Sequence, residues 1–277
     1  MSDAPPSNLL AALEPRVEQW RRERAEILAE SGDQPLATIR ARDLLRGLRG
    51  VPAVVCDTST VDPQDGLHIR GQPVIDLLDR SGEWLLFLLL TGRAPDPEEE
   101  RAVQADLALR AEVPAETLEL VDRLGPRLHP MTTLSAATLS LQEASVFARA
   151  HDAHTPRAEL WKADLEDALR LVATVPVIAA RLYRKGLQGQ PPIPRDPRAG
   201  LTDAFAAMLG LGDDPAVFAD FIRQLVTVHA DHEGANASVL AARVTHSTQS
   251  DLYYAVSSAM NCLAGPLHGR SNQESLQ

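Results

Sequence analysis

Two segments in the last third of the chain carry side chains that can bind or react. Residues 228–238 hold two imidazoles, two carboxylates, an amide and a hydroxyl around a single glycine, Gly234. The second segment, Gly265-Pro-Leu-His-Gly269, places His268 in a Gly/Pro turn. Such groups can bind a metal, hold a substrate by hydrogen bonds, or satisfy one another inside a folded core.

A metal site is the first alternative to weigh, because His229 and His232 are three residues apart. On a helix this spacing could place two nitrogens on one ion. The sequence is neither His-Glu-x-x-His nor His-x-x-Glu-His, and Gly234 interrupts the helix where a third ligand would be needed. We therefore expect no metal. Histidines buried in the core and satisfied by the backbone remain the other alternative.

His268 lies between the end of one predicted helix and the start of the next. The partial positive charge at a helix N-terminus disfavours a second cation, so the imidazole is expected to stay neutral and to offer an N–H to a ligand oxygen. A neutral donor of this kind suits the stabilisation of a developing enolate oxygen. On its own the pattern is weak, since a histidine in a Gly/Pro turn is usually a surface residue.

Hydrophobic residues recur with helical period over nearly every long segment, which predicts a mainly α fold. Between residues 54 and 70, β-branched residues flank a Pro/Asp/Gly cluster and predict one small β-hairpin. On the helix that ends near residue 232, both His229 and His232 fall on the apolar face, so both are expected to point inward. Helices are predicted at residues 73–91, 98–111, 114–124, 135–150, 160–184 and 252–263.

Composition limits the partners and the compartment. The net charge is −11 and the isoelectric point is near 5.2, which works against binding to nucleic acid or an anionic membrane surface. Two cysteines fit a reducing compartment. The N-terminus lacks the features of a signal or transit peptide, and the longest apolar run, residues 84–90, is too short to span a bilayer. We expect a cytoplasmic protein.

Several runs of sequence together resemble the citrate synthases. The runs His229-Ala-Asp-His-Glu-Gly-Ala-Asn-Ala-Ser238 and Ala259-Met-Asn-Cys-Leu-Ala-Gly-Pro-Leu-His-Gly269 are similar to that family's two signature segments, at the right separation. Arg46-Gly-Leu-Arg-Gly50, Asp57-Thr-Ser-Thr-Val-Asp-Pro63 and Leu128-His-Pro-Met131 match upstream, in order. The resemblance covers essentially the whole chain and leans towards the form found in mitochondria and some bacteria.

The resemblance implies a multi-helical homodimer, or a larger homo-oligomer, that condenses acetyl-CoA with oxaloacetate and water to citrate and CoA, with no permanently bound cofactor. Residues 1–268 would form part of a large domain, and residues 269–277 would begin a small one. His268 would hydrogen-bond the thioester oxygen and His232 would bind oxaloacetate. His229, Asn236 and Ser238 would shape the oxaloacetate site, while Arg46 and Arg157 would face the phosphates of CoA or remain solvated surface charges.

The sequence also departs from the family pattern. The family's general-base Asp, a further catalytic His and several substrate-binding Arg fall beyond Gln277, so the isolated chain is expected to be inactive. Ser271-Asn-Gln-Glu274 resembles a capping box that starts a helix left unfinished. Arg270-Ser271 stands where small residues commonly occur, and Ala235 replaces a frequent Gly.

Two alternatives stay open. The chain could be a non-catalytic subunit, scaffold or half-enzyme that a partner chain completes. It could also use a longer acyl-CoA such as propionyl-CoA, as a 2-methylcitrate synthase does. In either case, a chain that leaves apolar surface uncovered is expected to associate.

Overall fold

A computed structural model describes residues 8–46, 51–52, 54–234 and 236–269. The described part is mainly helical with one small sheet, as predicted. Its helices are α1 (Asn8–Ser31), α2 (Ala41–Leu45), α3 (Gly82–Thr91), α4 (Pro97–Arg110), α5 (Ala115–Leu124), α6 (Pro130–Ser140), α7 (Val146–Asp152), α8 (Leu160–Arg181), α9 (Leu201–Leu209), α10 (Pro215–His229), α11 (Ala237–Ser247) and α12 (Leu252–Leu263).

The helix starts follow local capping chemistry. Asp96 accepts hydrogen bonds from the N–H groups of Glu98 and Glu99 at the start of α4, and the Glu99 carboxylate reaches back to the Asp96 N–H. Asp251 caps α12 in a similar way, accepting from the N–H of Tyr253 at 3.0 Å. Side chains of this kind satisfy the N–H groups that have no partner inside the helix, and their spacing is visible in the sequence.

Two of the predicted helices are interrupted. The segment 73–91 forms a 3₁₀ turn, Val74–Leu77, before α3 begins after its cap Ser81. In the segment 135–150, α6 ends at Ser140 and a 3₁₀ turn, Leu141–Ala144, leads to Ser145. There the buried Asp167 carboxylate of α8 accepts from the Ser145 hydroxyl and from the N–H groups of Val146 and Phe147. The acceptor that starts α7 therefore comes from a different helix.

The predicted hairpin is present and gains a third strand. β1 (Ser59–Asp62) pairs antiparallel with β2 (Gly66–Ile69), and β2 pairs with the two-residue β3 (Gln72–Pro73). Asp62 accepts from the N–H groups of Gln64 and Asp65 and so forms the turn. The sheet is small, and its first strand is the part that faces the candidate site.

The helix α8 lies at the centre of the core. Its Leu165, Leu169 and Ala173 pack with buried residues of α1, α3 and α4. Further along, Leu171 and Ile178 pack with residues of α5, α6 and α12, including the fully buried Tyr253. The helix α12 thus rests on the core, and α11 packs along α12. This arrangement gives the last third of the described chain a fixed support.

None of the helices in the described ranges combines the length and apolar character needed to cross a bilayer. The expected start of a small domain at residues 269–277 falls almost wholly outside the described residues, as does the helix predicted after Ser271. The domain division therefore remains a prediction.

Candidate active site

The helix pair α11 and α12 brings two predicted site residues together. Ser238 lies in the first turn of α11. His268 follows α12 in a tight turn, where its backbone N–H donates to the Gly265 carbonyl oxygen at 3.0 Å. The Ser238 Oγ lies 2.8 Å from His268 Nε2, a hydrogen bond between residues 30 positions apart. Both side chains are half-buried. The two sequence motifs therefore meet at one place.

Asn236 has a local structural role at this place. It is the N-cap of α11, where its side-chain oxygen accepts from the N–H of Val239 at 3.0 Å. This contact fixes where α11 begins and therefore where Ser238 lies. The predicted substrate-binding role of Asn236 stays a prediction.

His229 and His232 do not point inward, contrary to the expectation from helical periodicity. The helix α10 ends at His229, whose Nδ1 lies 2.7 Å from the Leu225 carbonyl oxygen, and the side chain is exposed. His232 lies outside the helix and is also exposed. His229 continues the row of Phe221 and Leu225 on α10, and this apolar row is itself exposed. His232 follows the end of the helix, so it does not share a helical face with His229.

The chain turns at residues 231–234, here called the His232 turn. Glu233 and Gly234 adopt left-handed φ values of 57° and 61°, and the His232 N–H donates to its neighbour Asp231 Oδ1 at 2.8 Å. Glycine adopts such a conformation freely, whereas Glu233 does so at a cost that other contacts must offset.

Those contacts come from a segment about 170 residues earlier, residues 56–61, here called the Thr58 segment. Thr58 Oγ1 donates to Asp231 Oδ2, the Glu233 N–H donates to Ser59 Oγ at 2.6 Å, and the Val61 N–H donates to Glu233 Oε1 at 3.1 Å. Sequence reasoning noted the similarity of residues 57–63 to the family but gave them no role at the site. Nothing in the local sequence shows which distant residues they contact.

Cys56 packs against the same turn. A Cβ atom on Gly234 would lie 3.1 Å from Cys56 Sγ, so the thiol fills the space beside the glycine. Burial raises the pKa of Cys56, but hydrogen bonds with the Thr58 side chain and with the backbone of Ser59 and Thr58 outweigh it, and the pKa is lowered overall. A larger residue at position 234 would disturb this packing.

A cavity of 650 Å³ lies on another side of Thr58. Its walls are mostly apolar side chains of α1, α3 and α8, including Trp20 and Trp161. Arg70, at its wall, forms an ion pair with Asp57 at 2.8 Å. None of the predicted site residues lines this cavity.

Two arginines, Arg46 and Arg157, were predicted to bind CoA. Arg46 is the C-cap of α2 and is exposed, next to residues 47–50, which lie outside the described part. Arg157 is exposed and lines a cavity of 280 Å³ together with Asp164 and His246. Within the described ranges, no hydrogen bond or ion pair joins either arginine to Ser238. Their assignment to CoA stays a prediction.

His246 carries a shifted pKa on α11. Its Nε2 lies 3.5 Å from Asp164 Oδ2 on α8, and its Nδ1 lies 2.9 Å from the Ser250 carbonyl oxygen. The Asp164 carboxylate raises the pKa of His246, burial lowers it, and the Ser250 carbonyl raises it, so that the pKa is raised overall. The imidazole thus links α11 to the central helix.

No cluster of three or more His, Cys, Asp or Glu side chains suited to hold a metal ion occurs in the part of the chain that the structure describes. The groups of the Ser238–His268 pair and of the His232 turn are hydrogen-bond donors and acceptors. Such a set suits the binding of an oxygen-rich small molecule and the stabilisation of charge on its oxygen atoms.

Comparison with known proteins gives a consistent result. Residues 47–277 match the family described as "Citrate synthase, C-terminal domain". The chain is 36% identical over 259 residues to the mitochondrial 2-methylcitrate synthase of Yarrowia lipolytica, covering 90% of this chain and 56% of that protein. It is 34% identical over 258 residues to the mitochondrial citrate synthase of Saccharomyces cerevisiae, covering 90% and 53% of the two chains.

The fold matches as well. The crystal structure of citrate synthase from Pyrobaculum aerophilum superposes with a TM-score of 0.75 at 30% identity, covering 83% of this chain and 57% of that one. A citrate synthase from the archaeon Thermoplasma acidophilum shares the fold with a TM-score of 0.71 at 21% identity. The chain therefore spans a little over half the length of the relatives that it matches.

Proposed function

Because this chain belongs to the citrate synthase family, we propose that the protein containing it condenses acetyl-CoA with oxaloacetate and water to give citrate and free CoA. The observation that carries the proposal is the 2.8 Å contact between Ser238 Oγ and His268 Nε2. It joins the two signature segments in space and holds the imidazole that the resemblance assigns to the thioester oxygen.

The proposed reaction passes through an enolate, whose oxygen must be stabilised by a hydrogen-bond donor. When a base removes a proton from the acetyl methyl group, negative charge develops on the thioester oxygen. In this proposal His268 donates an N–H to that oxygen. A donor already held in place by Ser238 does not have to reorient during the reaction, and this preorganisation lowers the barrier.

The oxaloacetate side of the proposal rests on the His232 turn. An exposed imidazole at His232 can donate to the keto oxygen or a carboxylate of oxaloacetate. His229 is the last residue of α10, and Asn236 and Ser238 follow the His232 turn at the start of α11. Acetyl-CoA and CoA enter only as substrate and product, with Arg46 and Arg157 proposed for the CoA phosphates.

A thiol-release assay tests the proposed activity. The natural protein is purified from its source and given acetyl-CoA with and without oxaloacetate, and free CoA is measured with a thiol reagent. We expect CoA release that depends on oxaloacetate and forms citrate in equal amount. Release without citrate, or no release at any substrate concentration, would contradict the proposal.

Propionyl-CoA is the second candidate acyl substrate, because one of the matching relatives is a 2-methylcitrate synthase. Identity to a 2-methylcitrate synthase, 36%, is as high as identity to citrate synthases, 34% and 36%. Overall identity therefore does not choose between acetyl-CoA and propionyl-CoA. The same assay with both thioesters measures kcat/KM for each, and we expect the higher value with acetyl-CoA.

We further propose that the chain forms homo-oligomers. The helix α10 exposes an apolar row with Val217 65%, Phe221 54% and Leu225 40% accessible. Rows of this kind drive association when nothing covers them. Sedimentation velocity at micromolar concentration should show dimers or larger species, and a monomer would contradict the proposal. The cytoplasmic location stays a prediction.

A further inference from the structure

The His232 turn holds a backbone conformation that its own sequence does not favour. Glu233 adopts a φ of 57°, in the left-handed region where residues other than glycine, asparagine and aspartate are uncommon. Such a residue keeps this conformation only when surrounding contacts impose it. The contacts that do so here are the hydrogen bonds with the Thr58 segment.

These hydrogen bonds bracket His232 on both sides. Before it, Asp231 uses Oδ2 to accept from the Thr58 hydroxyl and Oδ1 to accept from the His232 N–H. After it, the Glu233 N–H donates to Ser59 Oγ at a distance of 2.6 Å. The imidazole of His232 stays exposed, while the backbone on either side of it is held.

We propose that Thr58 and Ser59 are positioning residues that fix the His232 imidazole for oxaloacetate, an inference that rests on the proposed function. The Thr58 hydroxyl connects through the Asp231 carboxylate to the N–H of His232 itself. Ser59 is only 4% accessible, so the Glu233 N–H cannot replace its oxygen with bulk water without moving the turn. The Thr58 segment thus acts on the substrate through His232 and does not touch the substrate.

Hydrogen exchange tests whether the two hydroxyls hold the turn. Thr58→Val and Ser59→Ala each remove one hydroxyl, while Thr60→Val makes the same change on the exposed side of β1 and is the matched control. In the natural protein, amide exchange of residues 232–234 should become about tenfold faster in the first two variants, as expected when one hydrogen bond is lost. It should stay at the wild-type rate in Thr60→Val.

Steady-state kinetics tests whether this matters for the substrate. In Thr58→Val and Ser59→Ala, we expect the KM for oxaloacetate to rise about tenfold, with the KM for acetyl-CoA unchanged. Thr58→Ser keeps the hydroxyl and should restore the wild-type KM. A purely structural loss would instead lower the amount of folded enzyme and leave both KM values alone.

The outcomes separate the two proposals. A wild-type protein that releases no CoA fails the proposed function, and exchange in the variants still reports on the turn. An active wild type whose Thr58→Val and Ser59→Ala variants keep the wild-type KM for oxaloacetate overturns the positioning inference alone. Unchanged exchange at residues 232–234 overturns it as well.

Discussion

The hydrogen bond between Ser238 and His268 restricts which tautomer can serve the reaction. A serine hydroxyl can donate or accept, and a neutral imidazole has one N–H and one acceptor nitrogen. If Ser238 donates to Nε2, the ring proton lies on Nδ1, and in the proposed reaction that N–H would turn to the thioester oxygen. We expect this arrangement, because only then do Ser238 and the substrate use different nitrogens.

Replacing Ser238 by Ala should therefore affect the chemical step. The variant loses the partner of Nε2, so the imidazole can rotate or change tautomer, and we expect kcat to fall about 10- to 100-fold with a smaller change in the KM for oxaloacetate. The measurement is thiol release over a range of both substrates. Ser247→Ala, at the exposed end of the same helix, is the control and should retain the wild-type kcat. A Ser238→Ala variant with wild-type kcat would show that the contact has no catalytic role.

The candidate site residues could be identified from the sequence, but the orientation of their side chains could be predicted only in part. The Gly/Pro turn that carries His268 was located from the sequence, whereas the start of α11, where Asn236 and Ser238 lie, was not predicted. The orientation of His229 and His232 was predicted wrongly, because the apolar row of α10 that leads to His229 is exposed, and His232 lies in a turn held by Thr58 and Ser59. Contacts between residues so far apart in sequence leave no mark in local periodicity.

At the scale of elements, the pair of His246 and Asp164 connects α11 to α8. Because the pKa of His246 is raised in the folded protein, the folded state binds this proton more tightly than the unfolded chain does. The stabilisation is therefore fully present below the ordinary pKa of 6.5 and is lost as pH rises through the folded pKa. Since the pair is partly exposed, the effect should be modest and should weaken with salt.

The pH dependence of unfolding tests this link between helices. We expect urea denaturation to show wild type more stable than His246→Gln at pH values below 6.5, with the difference shrinking as the pH is raised. Asp164→Asn should flatten the same dependence. Ser247→Ala, on the same helix but without a titratable group, is the control and should keep the wild-type pH dependence. A wild-type advantage that grows with pH would contradict the direction of the shift.

Several element boundaries followed from local signals, and the failures have two causes. Asp96 and Asp251 sit in the chain directly before the helices they cap, so α4 and α12 were predicted within a residue or two. The break at Ser145 was missed because its acceptor, Asp167, lies on another helix. The short β3 was missed because two residues give no periodic pattern.

For the whole molecule, the residues described form a helical core around α8, which supports the segments that carry the proposed site. In the proposed function, His268 and Ser238 would serve the enolate, and His232 with its supporting Thr58 segment would serve oxaloacetate. By the resemblance, the base that removes the methyl proton and the acid that protonates the oxaloacetate carbonyl are not among these 277 residues. Two sources fit the proposal: further sequence in the same polypeptide, or a second polypeptide.

The isolated 277-residue chain should therefore fold yet fail to turn over. Without a positioned base and acid, each worth about 10²–10⁴-fold, oxaloacetate-dependent CoA release should fall below detection under conditions where the natural protein is active. Intact mass spectrometry of the natural protein then identifies the source. A mass above that of 277 residues supports a longer polypeptide, whereas a mass of 30.0 kDa with a co-purifying second chain supports a two-subunit enzyme. Robust turnover by the purified 277-residue chain alone would contradict the prediction, because it would mean that these residues already supply both proton-transfer groups.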